Sequence, residues 1–198
     1  MAKKNLVLAF IILLLIGGGV FWWQKREIKG SPEDYVIKET VEGKFVENKK
    51  AGLIVKVPEG WEVKKMGTEE ELEEGAMVFY SPNTEGELQG GKIAPPLTKG
   101  CIIHVGVIHK EIDLAKLKLE VRYNLALLGV KSEEFEEVTI NNYPALKTTA
   151  DTQKLGNSIG IDIPYKNRLY SFFLLLASDE KENCVQEFNK FLETISIK

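Results

Sequence analysis

The chain has 198 residues, with 26 lysine and arginine residues against 29 aspartate and glutamate residues, a formal net charge of −3. Residues 1–30 carry five basic groups and one acidic group, a net charge of +4, whereas the rest carries 21 basic and 28 acidic groups, a net charge of −7. This length suits one domain with an appendage. An acidic domain without a basic stripe binds nucleic acid poorly, so we expect no nucleic-acid partner.

An uncharged apolar segment of eighteen residues occupies positions 6–23. As a helix it would be about 27 Å long, close to the thickness of the hydrocarbon core of a bilayer. Two tryptophans at its end stand where the chain would leave the lipid, a depth that suits amphipathic rings. We therefore predict a membrane anchor over residues 1–29, with a transmembrane helix at about 6–23. A cleaved signal peptide is the alternative, because three glycines at 17–19 follow the apolar core.

The orientation of this anchor is not set by charge, because basic residues flank the apolar segment almost equally on both sides. A very short N-terminal tail and two cysteines in the globular part favour a single-pass protein of the cell membrane, with its domain outside the cytoplasm. No Asn-x-Ser/Thr sequon occurs, which favours a prokaryotic protein.

Residues 30–43 are polar and contain a Ser-Pro pair, which predicts a tether to one globular domain over residues 44–198. Apolar and β-branched runs then predict strands near residues 44–46, 53–57, 61–64, 76–80 and 101–109. The segment 84–100 is rich in glycine and proline. It is interpreted as a long loop and as a candidate binding element.

The stretch KVPEGWEV, residues 56–63, joins two of these strands. Pro58 ends the first strand, Gly60 can take the positive φ of a turn, and Trp61 begins the second strand. We interpret these three residues as a structural turn, with the indole ring buried as a plug at the edge of the domain. An exposed Trp61 that stacks on a ligand is the functional alternative.

The second half of the chain predicts two helices and two hairpins. Asp113 can cap a helix whose apolar residues recur at spacings of three and four up to Gly129. These residues are Leu114, Leu117, Val121, Leu125 and Leu128. Hairpins are expected at 133–152 and 158–177. Asp179 and Glu182 have capping-box spacing before a terminal helix. The apolar stripe of that helix consists of Cys184, Phe188, Phe191, Leu192 and Ile195.

The central strands are apolar on both faces, as the segments 101–108 and 168–177 show. A sheet with one solvated face would alternate polar and apolar residues. We therefore predict an α/β fold in which a mostly antiparallel sheet is covered by helices on both faces, an α/β/α sandwich, preceded by one transmembrane helix.

Three stretches carry a family resemblance: LIVKVPEGWEV at 53–63, FEEVTINNYPALKTTA at 135–150, and IGIDIPYKNRLYSFFLLLASDEKENCVQEFNKFLETISI at 159–197. Over about residues 44–198 the chain resembles the PsbP-like superfamily, named after extrinsic oxygen-evolving proteins of photosystem II. The resemblance implies an α/β/α sandwich in which the first stretch is an opening hairpin and the last is a hairpin with its helix. It also implies a structural or assembly role without a shared catalytic set.

Cys101 and Cys184 are the two cysteines of the chain. If the terminal helix crosses the central strand, they can close a loop of about eighty residues and stabilise the fold by roughly 4 kcal/mol in the chain-entropy description. Two buried free thiols are the alternative, since cysteine is often buried as a small hydrophobe.

Other chemistry-bearing residues are interpreted as structural. His104 and His109 are five residues apart in one strand, so they point to opposite faces and do not share a metal. The acidic run 69–74 lacks the spacing of a calcium loop and is interpreted as a solvated face. No phosphate-binding glycine motif or nucleophile elbow occurs. The sequence therefore predicts no catalytic residue, metal or cofactor.

Three functions are consistent with this pattern. The leading hypothesis is a membrane-anchored, extracytoplasmic, non-enzymatic domain that binds a protein or assembly partner. The alternative is binding of a small ligand or lipid in a pocket between the sheet and a helix. An enzyme, with a hydrolase as the best fit, is the third hypothesis.

Overall fold

A computed structural model describes residues 34–66, 76–89 and 92–198 of the protein. The predicted anchor at 1–29, with its helix at 6–23, lies outside these described ranges. So do residues 30–33 of the predicted tether and the acidic run 69–74. Within the described ranges, no helix is long and apolar enough to cross a membrane.

The described residues form strands for most of their length. In chain order the strands are β1 (Tyr35–Thr40), β2 (Gly43–Asn48), β3 (Leu53–Lys56), β4 (Glu62–Met66), β5 (Ala76–Tyr80), β6 (Glu85–Gln89), β7 (Lys92–Lys99), β8 (Cys101–Ile108), β9 (Val130–Ile140), β10 (Tyr143–Thr152), β11 (Gly156–Tyr165), β12 (Arg168–Leu176) and β13 (Ser196–Ile197). The helices are α1 (Leu114–Leu127) and α2 (Lys181–Glu193).

A seven-stranded sheet in the order β4-β5-β8-β12-β11-β10-β9 forms the centre of the domain. Every neighbouring pair in it is antiparallel. A four-stranded sheet in the order β1-β2-β3-β13 and the two-stranded sheet of β6 and β7 accompany it. The predicted mixed α/β fold with a mostly antiparallel sheet is confirmed.

Strand β12 shows how the two faces of the central sheet are covered. Tyr170 and Phe172 are buried in the main core together with side chains of α2 and of β3. On the opposite face, Leu175 packs with Leu97 of β7, and Leu169 packs with Leu117 of α1. One helix and additional strands therefore pack on each face of this strand. The predicted α/β/α sandwich, in contrast, had helices alone as the cover.

The disulfide between Cys101 and Cys184 joins the central strand β8 to α2, with Cα atoms 5.8 Å apart. Both cysteines are buried in the main core. Beside them Phe191 packs edge-on against Phe79, with ring centroids 5.3 Å apart. The sequence left open a disulfide or two free thiols, and the structure shows the disulfide. It holds α2 against the face of the sheet that carries Tyr170 and Phe172, which we call the first face.

The predicted tether at 30–43 is corrected for its second half. Residues 35–40 form β1, which pairs with β2 along its whole length. Only Tyr35 of this strand is buried, and its ring lies in the main core. A strand with one buried residue has no apolar alternation, so the sequence pattern resembled a polar linker.

The predicted long loop at 84–100 is also corrected, because it contains the hairpin of β6 and β7. Irregular pairing around Gly86 shifts the register of the two strands. Pro95 and Pro96 lie in β7, which pairs with β6 on one side only. An edge strand tolerates residues without an N–H group, so these prolines did not prevent a strand.

The KVPEGWEV segment turns the chain without closing a hairpin, which corrects the opening hairpin implied by the family resemblance. Strand β3 pairs with β2 and β13, whereas β4 pairs with β5 in the other sheet. Gly60 has a φ of +77°, and the Trp61 N–H donates to the Pro58 carbonyl at 3.1 Å. Trp61 is 7% exposed and belongs to the main core. The turn is thus a corner between two sheets, and its ring packs inside.

The two helices begin differently. The Asp113 carboxylate accepts from the Lys116 N–H at 2.8 Å and caps α1 as expected. Helix α2 follows a short 3-10 turn at Ser178–Glu180 and has no side-chain cap. The predicted capping box of Asp179 and Glu182 is therefore not formed, because the 3-10 turn leads into the helix.

Replacing Trp61 with Ala is expected to lower the free energy of unfolding by about 3–5 kcal/mol, because it removes a large buried ring from the corner between the sheets. Urea denaturation of the full-length protein measures this loss. Val41→Ala, at an exposed turn, serves as the control and should change stability by less than about 0.5 kcal/mol. Equal stabilities of the two variants would show that the ring does not support the fold.

Candidate ligand-binding cleft

A cleft of about 470 Å³ lies between α1 and the second face of the seven-stranded sheet, the face that carries Leu169 and Phe173. Ligand pockets in proteins are typically roughly 300–1,000 Å³. The floor comes from β10, β11 and β12, and the roof comes from α1. The apolar side chains around it include Ile108, Leu117, Val121, Leu125, Leu169 and Phe173.

The cleft exists because α1 packs on the sheet at only a few points. Leu117 and Leu125 are the buried residues of this helix. Leu117 packs against Leu146 and Leu169. Beneath the rest of the helix the strands present small side chains, which leave the space unfilled.

Three cross-strand rows contribute to the floor: Leu146–Asp162–Ser171, Thr148–Gly160–Phe173 and Ala150–Ser158–Leu175. All of these residues except Leu146 and Leu175 line the cleft. The middle strand, β11, contributes only a carboxyl group, a glycine and a serine to these rows. Polar and small residues thus occupy the centre of a sheet face that is covered by a helix.

Asp162 is the ionisable group at this centre. The Ser171 hydroxyl donates to its Oδ1 at 2.5 Å. Burial raises the pKa of Asp162 above its ordinary value, and the Ser171 hydrogen bond and the charge of Lys110 oppose that rise. The sheet therefore holds a carboxyl group whose charged form is incompletely compensated.

Two further hydroxyl groups lie on the floor, in the neighbouring cross-strand rows. The Ser158 hydroxyl donates to the Ala150 carbonyl at 3.3 Å. The Thr148 hydroxyl is buried and has no hydrogen-bond partner among the described residues. A buried polar group without a partner destabilises a fold unless water or a ligand satisfies it.

Gly160 leaves an open position between these groups. A Cβ at this residue would lie 3.5 Å from Phe173 Cδ2, 3.9 Å from Asp162 Oδ2 and 3.9 Å from Thr148 Cβ. These are ordinary van der Waals distances. Because glycine has no Cβ, the space above this residue is open, and a ligand atom packed against its backbone would lie among the carboxyl group, the threonine and an aromatic ring.

The charged groups at the mouth of the cleft are paired. Lys110 and Glu120 both line the cleft and form an ion pair. This pair adds no net charge to the mouth, although the charge of Lys110 also acts on the Asp162 carboxyl group below it.

The residues singled out from sequence lie elsewhere. Cys101, Cys184 and Trp61 belong to the main core on the other face. Neither His104 nor His109 lines the cleft. Among the described residues, no group of three metal-ligating side chains is close enough to hold an ion.

The residues of the cleft were missed, although a signal for them exists in the segment SIGIDI at 158–163. Its isoleucines alternate with Ser158, Gly160 and Asp162. In a sheet that must be covered on both faces, such a polar and small face marks a place where the cover stands away from the strand.

Comparisons with known proteins address the fold. The chain matches no protein-family model and no curated protein. It is similar to the solution structure of the cyanobacterial PsbP protein CyanoP from Synechocystis sp. PCC 6803, with 12% identity over 83% of this chain and 92% of that chain and a TM-score of 0.45.

Two crystal structures are also similar. LpqN, involved in cell envelope biogenesis of Mycobacterium tuberculosis, is 17% identical over 86% of this chain and 99% of its own, with a TM-score of 0.48. A protein from Bacteroides thetaiotaomicron VPI-5482 is 14% identical over 74% of this chain and 45% of its own, with a TM-score of 0.43. These similarities assign no ligand, partner or activity, and membership of the PsbP-like superfamily stays a prediction.

His104 makes the stability of the domain dependent on pH. Burial lowers its pKa from 6.5 to about 4, so the folded state keeps the imidazole neutral while the unfolded chain takes up a proton below pH 6.5. This group therefore leaves the free energy of unfolding unchanged above pH 6.5. As the pH falls from 6.5 towards 4, protonation of the unfolded chain lowers that free energy. The expected loss is about 3 kcal/mol of unfolding free energy at pH 4.

Urea denaturation of the wild type and of His104→Leu at pH 7 and pH 4 measures this contribution. The variant lacks the titrating group, so its stability should fall less between the two pH values. An identical fall in both proteins would contradict the assignment.

Proposed function

We propose that the protein is a non-enzymatic binding domain that holds a small amphipathic ligand in the cleft beneath α1. The observation that carries this proposal is an open cleft of about 470 Å³ whose walls are apolar and whose floor has a polar centre. Small-molecule sites are typically concave and apolar, with a few placed polar groups that orient the ligand.

Packing supports a ligand at this position. Protein interiors are close-packed, and voids larger than a water molecule are few. Here a helix with two buried residues covers a sheet face that is lined by glycine, alanine and serine. An apolar ligand body would remove leucine and phenylalanine surface from water and complete the contact between α1 and the strands.

The arrangement of hydroxyl groups supports binding over hydrolysis. Activation of a serine nucleophile requires a base within hydrogen-bond reach, most often histidine. The hydroxyl group of Ser171 donates to the Asp162 carboxyl group, and neither histidine, the usual base for a serine nucleophile, lines the cleft. The groups at the floor are suited to hold a polar head group.

The proposal includes the predicted location at the cell membrane, with the domain outside the cytoplasm. A buried disulfide between Cys101 and Cys184 supports an oxidising compartment. The apolar segment at 6–23 supports a membrane tether. A tethered cleft would meet ligands that are released from, or delivered to, the membrane.

Protein binding is a second candidate function, favoured by an apolar stripe on the outer face of α1. Leu119, Tyr123 and Leu127 are spaced by four residues and are 65%, 67% and 59% exposed. Residues four apart lie on one side of a helix. Large exposed apolar side chains at such spacing are typical of helix surfaces that a partner covers.

Filling the cleft should abolish ligand binding without unfolding the protein. In Gly160→Leu the added Cβ fits at ordinary contact distances, and the remaining carbons occupy the cleft. Isothermal titration of the full-length protein with 1-octanol, a neutral amphipathic probe, should give saturable binding to the wild type. The variant should bind at least about tenfold more weakly.

Thr139→Leu provides the matched control, since it adds a similar apolar side chain at an exposed position of the same sheet. It should bind octanol like the wild type. Absence of saturable binding to the wild type, or equal affinity of Gly160→Leu, would overturn the cleft as the binding site.

The stripe on α1 is tested by a photo-crosslinking amino acid at position 123 in native membranes. A partner docked on the stripe gives one discrete protein adduct, and Leu119→Glu removes it because a carboxylate opposes apolar contact. The same crosslinker at the exposed position 42 should give no such adduct. An adduct that persists in Leu119→Glu would count against the stripe as the docking surface.

A further inference from the structure

The floor of the cleft has unused hydrogen-bonding groups, namely an acceptor on Asp162 and the hydroxyl of Thr148. Within the described residues, the Asp162 carboxyl group accepts one hydrogen bond, from Ser171. The Thr148 hydroxyl has no partner there. A carboxylate has room for several hydrogen bonds, so Asp162 Oδ2 is available to a donor from the ligand.

The charge of the floor is only partly compensated, because the charge of Lys110 favours the ionised form of Asp162 without forming an ion pair with it. Lys110, the cation of the cleft, is engaged with Glu120 at the mouth. Asp162 takes part in no ion pair with the other described residues. Buried charges in proteins are normally paired, because an isolated charge loses its hydration without a compensating interaction.

A hydrogen-bond donor for Asp162 and a positive charge to pair with it would both fit above Gly160. A Cβ at this glycine would lie 3.9 Å from Asp162 Oδ2 and 3.9 Å from the Cβ of Thr148. A ligand hydroxyl group packed above Gly160 would supply a single donor and leave the carboxylate without a paired positive charge. An ammonium group would supply up to three donors and the opposite charge, and it would form the stronger, charge-assisted hydrogen bonds.

We propose that the ligand carries an amine, bound as the ammonium above Gly160 by Asp162 Oδ2 and the Thr148 hydroxyl, with its apolar body under α1. This inference rests on the proposed function, because it assigns the head group of the ligand in the same cleft. The ligand class is an amphipathic amine, whether a free amine or the head group of a lipid.

The electrostatics of Asp162 agree with this assignment. Burial raises the pKa of this carboxyl group. An ammonium in contact with Asp162 would stabilise the carboxylate and reverse that effect. The same burial disfavours a ligand carboxylate, which would approach Asp162 with like charge.

Three probes with the same eight-carbon chain separate the head groups: octylamine, 1-octanol and octanoate. Isothermal titration of the full-length protein at pH 7 should show octylamine binding at least about tenfold more tightly than octanol, with octanoate weakest. Asp162→Asn keeps the size of the side chain and removes its charge. It should remove the preference for octylamine over octanol, and its far-UV circular dichroism spectrum, compared with that of the wild type, shows whether the variant is folded.

Thr148→Val is the second variant, since it removes one acceptor and retains the shape of the side chain. It should weaken octylamine binding more than octanol binding. If octylamine keeps its preference in both variants, or if Asp162→Asn fails to fold and Thr148→Val keeps the full preference, the assignment of the head group is overturned.

The outcomes separate this inference from the proposed function. Equal binding of all three probes to the wild type would leave the cleft as an apolar site and reject the amine. No binding of any probe would reject the cleft itself. Tightest binding of octanoate would reject Asp162 as the recognition group.

Discussion

Strands β8 and β12 are apolar on both faces, and the rest of the domain is arranged to remove both faces from water. Their pairing places Phe172 beside Val105 and Leu175 beside Ile102, on opposite sides of the sheet. Burial of such side chains contributes about 1.5–3 kcal/mol each, so a single cover would leave a large apolar surface in water. Two covers are therefore required, and the chain supplies them from different elements.

The two covers differ in how firmly they are held. On the first face, α2 is tied to β8 by the Cys101–Cys184 disulfide, and its phenylalanines pack against Phe79 and Phe172. On the second face, α1 has two buried residues and no covalent link to the sheet. The first face is thus the stable core, and the second face has the space that a binding site needs.

Sequence patterns predicted the elements that have a strong local signal. The hairpin around Asn141 and Asn142 formed as expected, since both residues take the positive φ that its turn requires. Elements with a weak local signal were missed: β1 buries only Tyr35, and β7 contains two prolines. The site was predicted only as a pocket between a helix and the sheet. Its polar centre could not be predicted, because Thr148, Asp162 and Ser171 come from three strands that only the pairing brings together.

The sequence by itself determined that the central strands need two covers, that two helices and two hairpins follow the first strands, and that the turn at Gly60 ends a buried strand. These features depend on local periodicity and on backbone preferences, which a sequence displays directly. Only the tertiary structure decided that this turn leads from one sheet to the other, that Cys101 meets Cys184, and that Gly160 lies between Asp162 and Thr148. Each of these depends on the register and packing of segments distant in sequence, which local patterns do not specify.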